Sequence, residues 1–296
     1  MQNSTMSDTT PTAVDAANVW CCGRFEFDLA RPLIMGIVNV TPDSFSDGGR
    51  FSDAAAAVAH ARRLIDEGAD LIDVGGESTR PDAAEISVED ELRRVLPVID
   101  SLRDVPVALS IDSSKTEVMQ VALDRGVSIV NDVRALSAPG ALQVVAQARC
   151  GVVLMHMQGT PQTMQVDPRY GDVTIEVGAF LRDRCERAGA AGIARERIAI
   201  DPGFGFGKTN DHNYELLARL GELLTLRRPL LVGISRKGML KYATGRSVGE
   251  RAVASAAAAL IAVERGARIV RVHDVAATRD ALAVWQTTRK HLRGSA

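Results

Sequence analysis

Polar and ionisable residues recur in this chain at one kind of position. They are Asn39, the stretch Gly75-Gly76-Glu77-Ser78-Thr79-Arg80, Asp112, Asn131-Asp132, His156, Asp201, Ser235-Arg236-Lys237 and Arg271-Val272-His273-Asp274. Each closes or directly follows a short aliphatic run. The carboxylates of Asp112 and Asp201, with the amide of Asn131, offer acceptors plus one group that both donates and accepts. That set suits the edge of a flat heterocycle carrying N–H and NH2 donors. Lys237, Arg271 and His273 supply charge and hydrogen bonds of the kind that hold a phosphate. One side of the set therefore fits a heterocycle and the other an anion. Two plainer roles stay open: Asp112 before Ser113-Ser114 also reads as a helix N-cap, and either cation could be a solvated surface charge.

These residues can act together only if the fold gathers them. The aliphatic runs span Leu33 to Val38, Leu71 to Val74, Val107 to Ile111, Ser128 to Val130, Val152 to Met155, Ile198 to Ile200, Leu230 to Ile234 and Ile269 to Val272. Most are continuously apolar, as parallel strands buried on both faces are. Between them lie helical patterns: Asp53 to Glu67, Val88 to Leu102, Lys115 to Asp124, Ala141 to Gln147, Asp172 to Ala188, Asn213 to Leu220, Val248 to Glu264 and Thr278 to His291. Glycines such as Gly68, Gly126, Gly189 and Gly266 stand where a helix C-cap needs them. Strand–helix alternation through the chain predicts an α/β fold, and this many units favour a closed (β/α)8 TIM barrel. In such a barrel the carboxyl ends of the strands share one rim, where sites are built.

Composition agrees. The chain has 296 residues, 46% hydrophobic and 24% charged, with a net charge of -2, as a globular protein has. That charge argues against nucleic acid or a membrane surface as a partner. Residues 1–18 are small and polar, without the basic start and apolar stretch of a signal peptide. They are expected to form a flexible tail before a single barrel domain over 19–296, in the cytoplasm. The four cysteines, Cys21, Cys22, Cys150 and Cys185, lack the spacing of a zinc site or of a disulfide framework.

Some features are weaker. The stretch Gly203-Phe204-Gly205-Phe206-Gly207-Lys208 fails as a P-loop at Pro202 and as a dinucleotide loop at Lys208. It reads instead as a turn that brings backbone close to a ligand and sets Phe204 or Phe206 over it, with a core role for Phe206 as the alternative. His156 stands among methionines and is a secondary candidate. His60, His212 and His291 have no motif around them and are expected at the surface.

Longer motifs carry a resemblance. Asn39-Val40-Thr41-Pro42-Asp43-Ser44-Phe45-Ser46-Asp47-Gly48-Gly49 and Asp73-Val74-Gly75-Gly76-Glu77-Ser78-Thr79-Arg80-Pro81 resemble the two signatures of the dihydropteroate synthase family. The glycine-rich stretch from Asp201, Ser235-Arg236-Lys237 and Arg271-Val272-His273-Asp274 are similar to further motifs of that family. Together they cover nearly the whole expected barrel. The resemblance implies condensation of a pterin pyrophosphate with p-aminobenzoate, with Asp47, Asp112, Asp201 and Lys237 as catalytic residues. Asp112, Asn131, Asp201 and Lys237 would hold the pterin. Asn39, Thr79, Arg80, Arg271 and His273 would bind the pyrophosphate, and Asn39 would ligate Mg2+ on it. Phe45, Pro81, Phe206, Ser235 and Lys237 would frame the p-aminobenzoate pocket, where sulfonamides compete. The family is usually dimeric, and the alanine-rich stretch near Ala252 to Ala262 is a plausible contact. Asp82 and Gly238 depart from the commoner glycine and serine of the family without removing a chemical group.

The implied chemistry is displacement of pyrophosphate by a weakly nucleophilic aromatic amine. We therefore expect C–O cleavage to run ahead of attack, with glycine- and proline-bearing loops at Pro42, Gly48, Gly49 and Pro81 excluding water. Two other readings compete: a pterin-dependent methyltransferase barrel, and a non-catalytic paralogue that binds pterin. The first has little use for Phe45 and the rim cations; the second predicts losses among Asn39, Asp47, Arg271 and His273 that this sequence does not show.

Overall fold

The structure is a computed structural model that describes residues 19–41, 50–78 and 84–293. It opens with a hairpin the sequence reading missed, in which β1 (Val19–Cys22) pairs antiparallel with β2 (Phe25–Asp28). Then come β3 (Leu33–Asn39), β4 (Leu71–Gly75), β5 (Ala108–Asp112), β6 (Ile129–Asp132), β7 (Gly151–Met155), β8 (Ile198–Asp201), β9 (Leu231–Val232) and β10 (Ile269–Val272). These form an eight-stranded sheet in the order β8-β7-β6-β5-β4-β3-β10-β9. Its ladders are parallel. A parallel bridge from Ile200 to Leu230 joins the two ends. The expected (β/α)8 barrel is what forms.

The helices are α1 (Arg50–Asp66), α2 (Val88–Ser101), α3 (Thr116–Asp124), α4 (Ala141–Gln147), α5 (Val173–Ala190), α6 (Asn210–Ala218), α7 (Gly238–Thr244), α8 (Ala252–Glu264) and α9 (Val275–Arg293). Three differ from expectation. The helix α5 runs through Gly189, expected as its C-cap, to Ala190. The helix α7 was not foreseen. The stretch from Val248 to Glu264 is not one helix but a 3-10 turn, Val248–Glu250, followed by α8. The break falls at Arg251, whose guanidinium donates to the carbonyls of Arg246, Arg236 and Lys237. No helix among the described residues is long and apolar enough to cross a membrane.

Alternation of side chains along a strand explains how the core divides. Ile72, Val74, Leu109, Ile111, Val130, Val152, Leu154, Ile200, Val232 and Val270 belong to one apolar cluster with the inner faces of the helices. Leu33, Met35, Leu71, Ala108, Ile129, Val153, Ala199, Leu231 and Ile269 form a second cluster with Trp20, Cys22 and Leu29. The second cluster fills the barrel's interior near the amino ends of its strands, and the hairpin plugs it there. Trp20 is fully buried, and its indole N–H donates to Arg197 O at 3.0 Å. With that end closed and greasy, the rim at the other end is left for polar groups.

Candidate active site

Two residues along from five of the apolar plug positions, the same face of the strand turns polar. Leu71 is followed by Asp73, Ala108 by Ser110, Ile129 by Asn131, Ala199 by Asp201 and Ile269 by Arg271. Two strand residues are a rise of about 7 Å, so a polar layer lies directly on the apolar one. All five polar residues are buried or half-buried. Register adds a row at the rim: Asn39 pairs with Gly75, Gly75 with Asp112, and Asp112 with Asn131. Gly75 keeps that row open, since a Cβ there would meet the Asp112 Cβ at 3.4 Å.

One guanidinium ties the two levels together. Arg271 Nε donates to Asp73 Oδ2 at 2.6 Å, and Arg271 Nη2 to Asp112 Oδ2 at 2.6 Å. Asn131 Nδ2 donates to the same Asp73 oxygen at 3.0 Å. The side chains of Arg271 and Asp112 keep 19% and 13% of their exposure, while Asp73 has none. Asp112 does not cap α3; that position is taken by Lys115. Nor is Arg271 a solvated surface charge.

Burial pushes the Asp112 carboxyl up to about 7; Arg271 opposes this, and the charges of Asp73, Glu91 and Asp132 add to it. Burial pushes Asp201 up as well, against the pull of Lys237 and the bond from the Gly203 N–H. Burial pushes Lys237 down to about 8, with Asp201 and Asp112 opposing and Arg271 adding. Burial also works against the charge of Arg271, but Asp73 and Asp112 outweigh it and hold the guanidinium above its usual range. The cluster thus holds an acid and a base that both titrate near neutrality, as functional sites tend to.

The remaining expected residues fall around this cluster. Lys237 Nζ lies 4.4 Å from the centroid of the half-buried Phe206 ring and donates to Phe204 O. Phe204 itself is fully buried in the core, so of the two only Phe206 faces the site. Ser235 Oγ meets both the His273 N–H and His273 Nδ1 at 3.1 Å. Phe45, Asp47, Thr79, Arg80 and Pro81 lie outside the described residues, as does the 1–18 segment.

Sequence reading passed over two features and misplaced two histidines. Asp73 was legible as an ionisable residue inside the apolar run Leu-Ile-Asp-Val-Gly, but attention to the residue after each strand missed it. Lys115 Nζ bridges Glu77 Oε2 at 2.7 Å and Glu91 Oε2 at 2.8 Å, and Glu77 Oε1 accepts the Ile86 N–H at 2.9 Å. These bonds hold the chain on both sides of residues 79–83, and nothing in the spacing announces them. His60, expected at the surface, is half-buried and shares a 2.6 Å contact with Arg63. His212 is likewise half-buried and completes the cap of α6 with Thr209.

Comparison with known proteins gives a consistent picture. Residues 35–273 match the family described as "Pterin binding enzyme". The chain is 51% identical over 262 residues to the dihydropteroate synthase of Escherichia coli (strain K12), covering 88% of this chain and 93% of that one. A solved structure of Xanthomonas albilineans dihydropteroate synthase with 4-aminobenzoic acid superposes with a TM-score of 0.87 at 51% identity, covering 92% of this chain and 98% of that one. Another from the same organism, in complex with 7,8-dihydropteroate, gives 0.84 at 49% identity with the same coverage.

Proposed function

The chain belongs to the pterin-binding enzyme family, among the dihydropteroate synthases, and on that premise we propose how its rim carries out the family reaction. It is a transferase of folate biosynthesis. It condenses 6-hydroxymethyl-7,8-dihydropterin pyrophosphate with p-aminobenzoate, giving 7,8-dihydropteroate and pyrophosphate.

The observation that carries the assignment of residues is the guanidinium of Arg271 lying between Asp73 and Asp112, beside Asn131. The pterin edge, rich in N–H donors, sits against Asp112, Asn131 and Asp201, and Lys237 donates to its acceptors. Arg271 uses Nε–H and one Nη2–H within the cluster, and its three other N–H groups have no acceptor among the described residues. We assign them to the pyrophosphate together with His273, and the family resemblance adds Thr79 and Arg80 to that set. Arg271 therefore joins ring recognition to the leaving group.

In the reaction the bond between the pterin methylene and the pyrophosphate oxygen breaks, and its electron pair leaves with pyrophosphate. The amine lone pair forms the new C–N bond, and the nitrogen then loses a proton, whose acceptance we assign to Asp47 on the family resemblance. Because the amine is a weak nucleophile, cleavage runs ahead of attack. Arg271 and His273 stabilise the charge that grows on the departing oxygen. Asp112 and Asp201 stabilise positive charge on the ring through the bonds they accept. Phe206, Ser235 and Lys237, with Phe45 and Pro81, frame the p-aminobenzoate pocket.

Asn39 offers one amide oxygen at the rim. No group of three or more His, Cys, Asp or Glu side chains able to hold a metal occurs among the described residues. One protein oxygen suits Mg2+, which keeps water and takes phosphate oxygens as its other ligands. Bound there, Mg2+ supplies positive charge to the pyrophosphate. We place the enzyme in the cytoplasm as a homodimer. Val253 and Ile261 on α8, 81% and 43% exposed, support an apolar contact on that face.

The test is direct. Purified protein given pterin pyrophosphate, p-aminobenzoate and Mg2+ should release pyrophosphate only when p-aminobenzoate is present. Release independent of p-aminobenzoate, or none above background, would refute the assignment.

A further inference from the structure

Lys208 has no role in the reaction as described, yet it is an ionisable side chain only 3% exposed. Its Nζ donates to Gly203 O at 2.9 Å and to Phe206 O at 3.1 Å, and meets His156 Nδ1 at 2.9 Å. An ammonium has three donors and no acceptor, and here it finds three acceptors, provided His156 is neutral at Nδ1. Burial and the charge of Lys208 push that imidazole down to about 3, so the ring is neutral, and its tautomer with the proton on Nε2 leaves Nδ1 to accept. Burial also pushes Lys208 down to about 7, with Asp201 opposing and Lys237 adding. The Tyr170 ring lies 6.0 Å from Nζ. His156, Asp201, Lys237 and Tyr170 are the titratable groups around it.

The residues held by Lys208 form an unusual loop. Gly203, Gly205 and Gly207 all take positive φ, at 69°, 80° and 62°. The segment has no strand or helix to satisfy its backbone, and its one internal bond is the turn from Phe206 N–H to Gly203 O at 3.1 Å. Its other carbonyls are taken by side chains from elsewhere. Lys237 bonds Phe204 O, Gln165 Nε2 donates to Gly205 O at 2.7 Å, and Tyr170 Oη–H donates to Gly207 O at 2.7 Å. Buried carbonyls require such partners. Lys208 differs from the others in holding two, at the first and last residues of the turn whose final side chain is the Phe206 ring.

We propose that Lys208 is a positioning residue for p-aminobenzoate, clamping both ends of the Gly203–Phe206 turn so that Phe206 and the Lys237 seat on Phe204 O keep the shape of the acceptor pocket. The proposal rests on the reading that Phe206 lines that pocket. Without the ammonium, two buried carbonyls lose a charged donor and the turn relaxes. The pterin side is affected less, because the Gly203 N–H still holds Asp201 at 2.7 Å.

Lys208→Met keeps the alkyl chain and removes the three donors. Its KM for each substrate, kcat and Tm are compared with wild type, with Phe206→Ala in the same assay. The expected result is a KM for p-aminobenzoate raised about tenfold, as a loss of roughly 1.4 kcal/mol in binding gives, and a smaller change for pterin pyrophosphate. A lowered Tm with an unchanged p-aminobenzoate KM, while Phe206→Ala raises it, means Lys208 only supports the fold and overturns the proposal. If Phe206→Ala itself leaves that KM unchanged, the pocket reading fails first, and the proposal with it. Should Lys208→Met not fold, Lys208→Gln keeps an amide donor in place of the ammonium. About a threefold rise in p-aminobenzoate KM is then expected, on the order of one hydrogen bond lost at the turn, and no rise overturns the proposal.

Discussion

A pterin ring that presents N–H donors to Asp112 competes with a proton for the same carboxylate. Burial raises that carboxyl to about 7 even with Arg271 at 2.6 Å, because Asp73 shares the same guanidinium. Hydrogen bonds donated to the ionised form favour it, so the ring binds the carboxylate and not the acid. At pH 7 about half of the empty enzyme is ready; at pH 6 about one molecule in eleven is. The affinity for bare 7,8-dihydropterin, a probe without a titrating phosphate, should fall about fivefold over that unit, or roughly 1 kcal/mol. Each binding event near pH 6 should also release close to one proton. Isothermal titration at pH 6 and 7, in buffers of different ionisation enthalpy, measures both. Asp112→Asn should bind weakly with no acid limb and lower kcat by about a hundredfold or more, the size expected when a charge-stabilising group is lost. Above about pH 8 the loss of the Lys237 proton should weaken binding again. An affinity equal at pH 6 and 7, with no proton released, would sink the reasoning. The sign for the unliganded fold is opposite. Asp112 holds its extra proton in the folded state from about pH 4 up to about 7. Its contribution to stability is therefore present at low pH and lost as pH rises through 7.

Other perturbations test the same geometry. Asp73→Asn removes a carboxylate with no exposure that Arg271 and Asn131 both bond. It should lower stability by about 3 kcal/mol in chemical denaturation, as breaking a buried ion pair does, and move the acid limb below pH 7 because Asp73 no longer repels Asp112. An unchanged midpoint contradicts this. Asn39→Ala should raise the Mg2+ concentration needed for half-maximal pyrophosphate release; the same Mg2+ curve removes it from the metal shell. Gly203→Ala would place a Cβ 1.9 Å from His156 O at a φ of 69°, so thermal melting should show a large loss of folded protein, and a normal melt would mean that the loop tolerates strain.

Much of the barrel was legible because its signals are local. A parallel strand buried on both faces favours a continuous apolar run, and the eight that formed were visible as short aliphatic runs, most of them unbroken. The hairpin at Val19–Asp28 was not, since its short strands carry charge at Glu26 and Asp28 and owe their order to Trp20 docking under the barrel. The unforeseen α7, Gly238–Thr244, and the break at Arg251 have the same origin. Arg251 ends one element by bonding carbonyls 14 and 15 residues away, a contact no window along the chain contains.

The site divides in the same way. By itself the sequence determined which chemical groups stand at the strand ends, because each follows its apolar run directly, and its motifs determined the family. Only the tertiary structure decided that Asp73 lies below Asp112 on one guanidinium 198 residues away from it in the chain. It likewise decided that Lys208 is buried against His156, and that Phe206 and not Phe204 faces Lys237. Residue type and spacing are properties of the chain. Burial and charge pairing depend on what the closed barrel brings alongside, and those set which carboxyl keeps a proton and which cation gives one up.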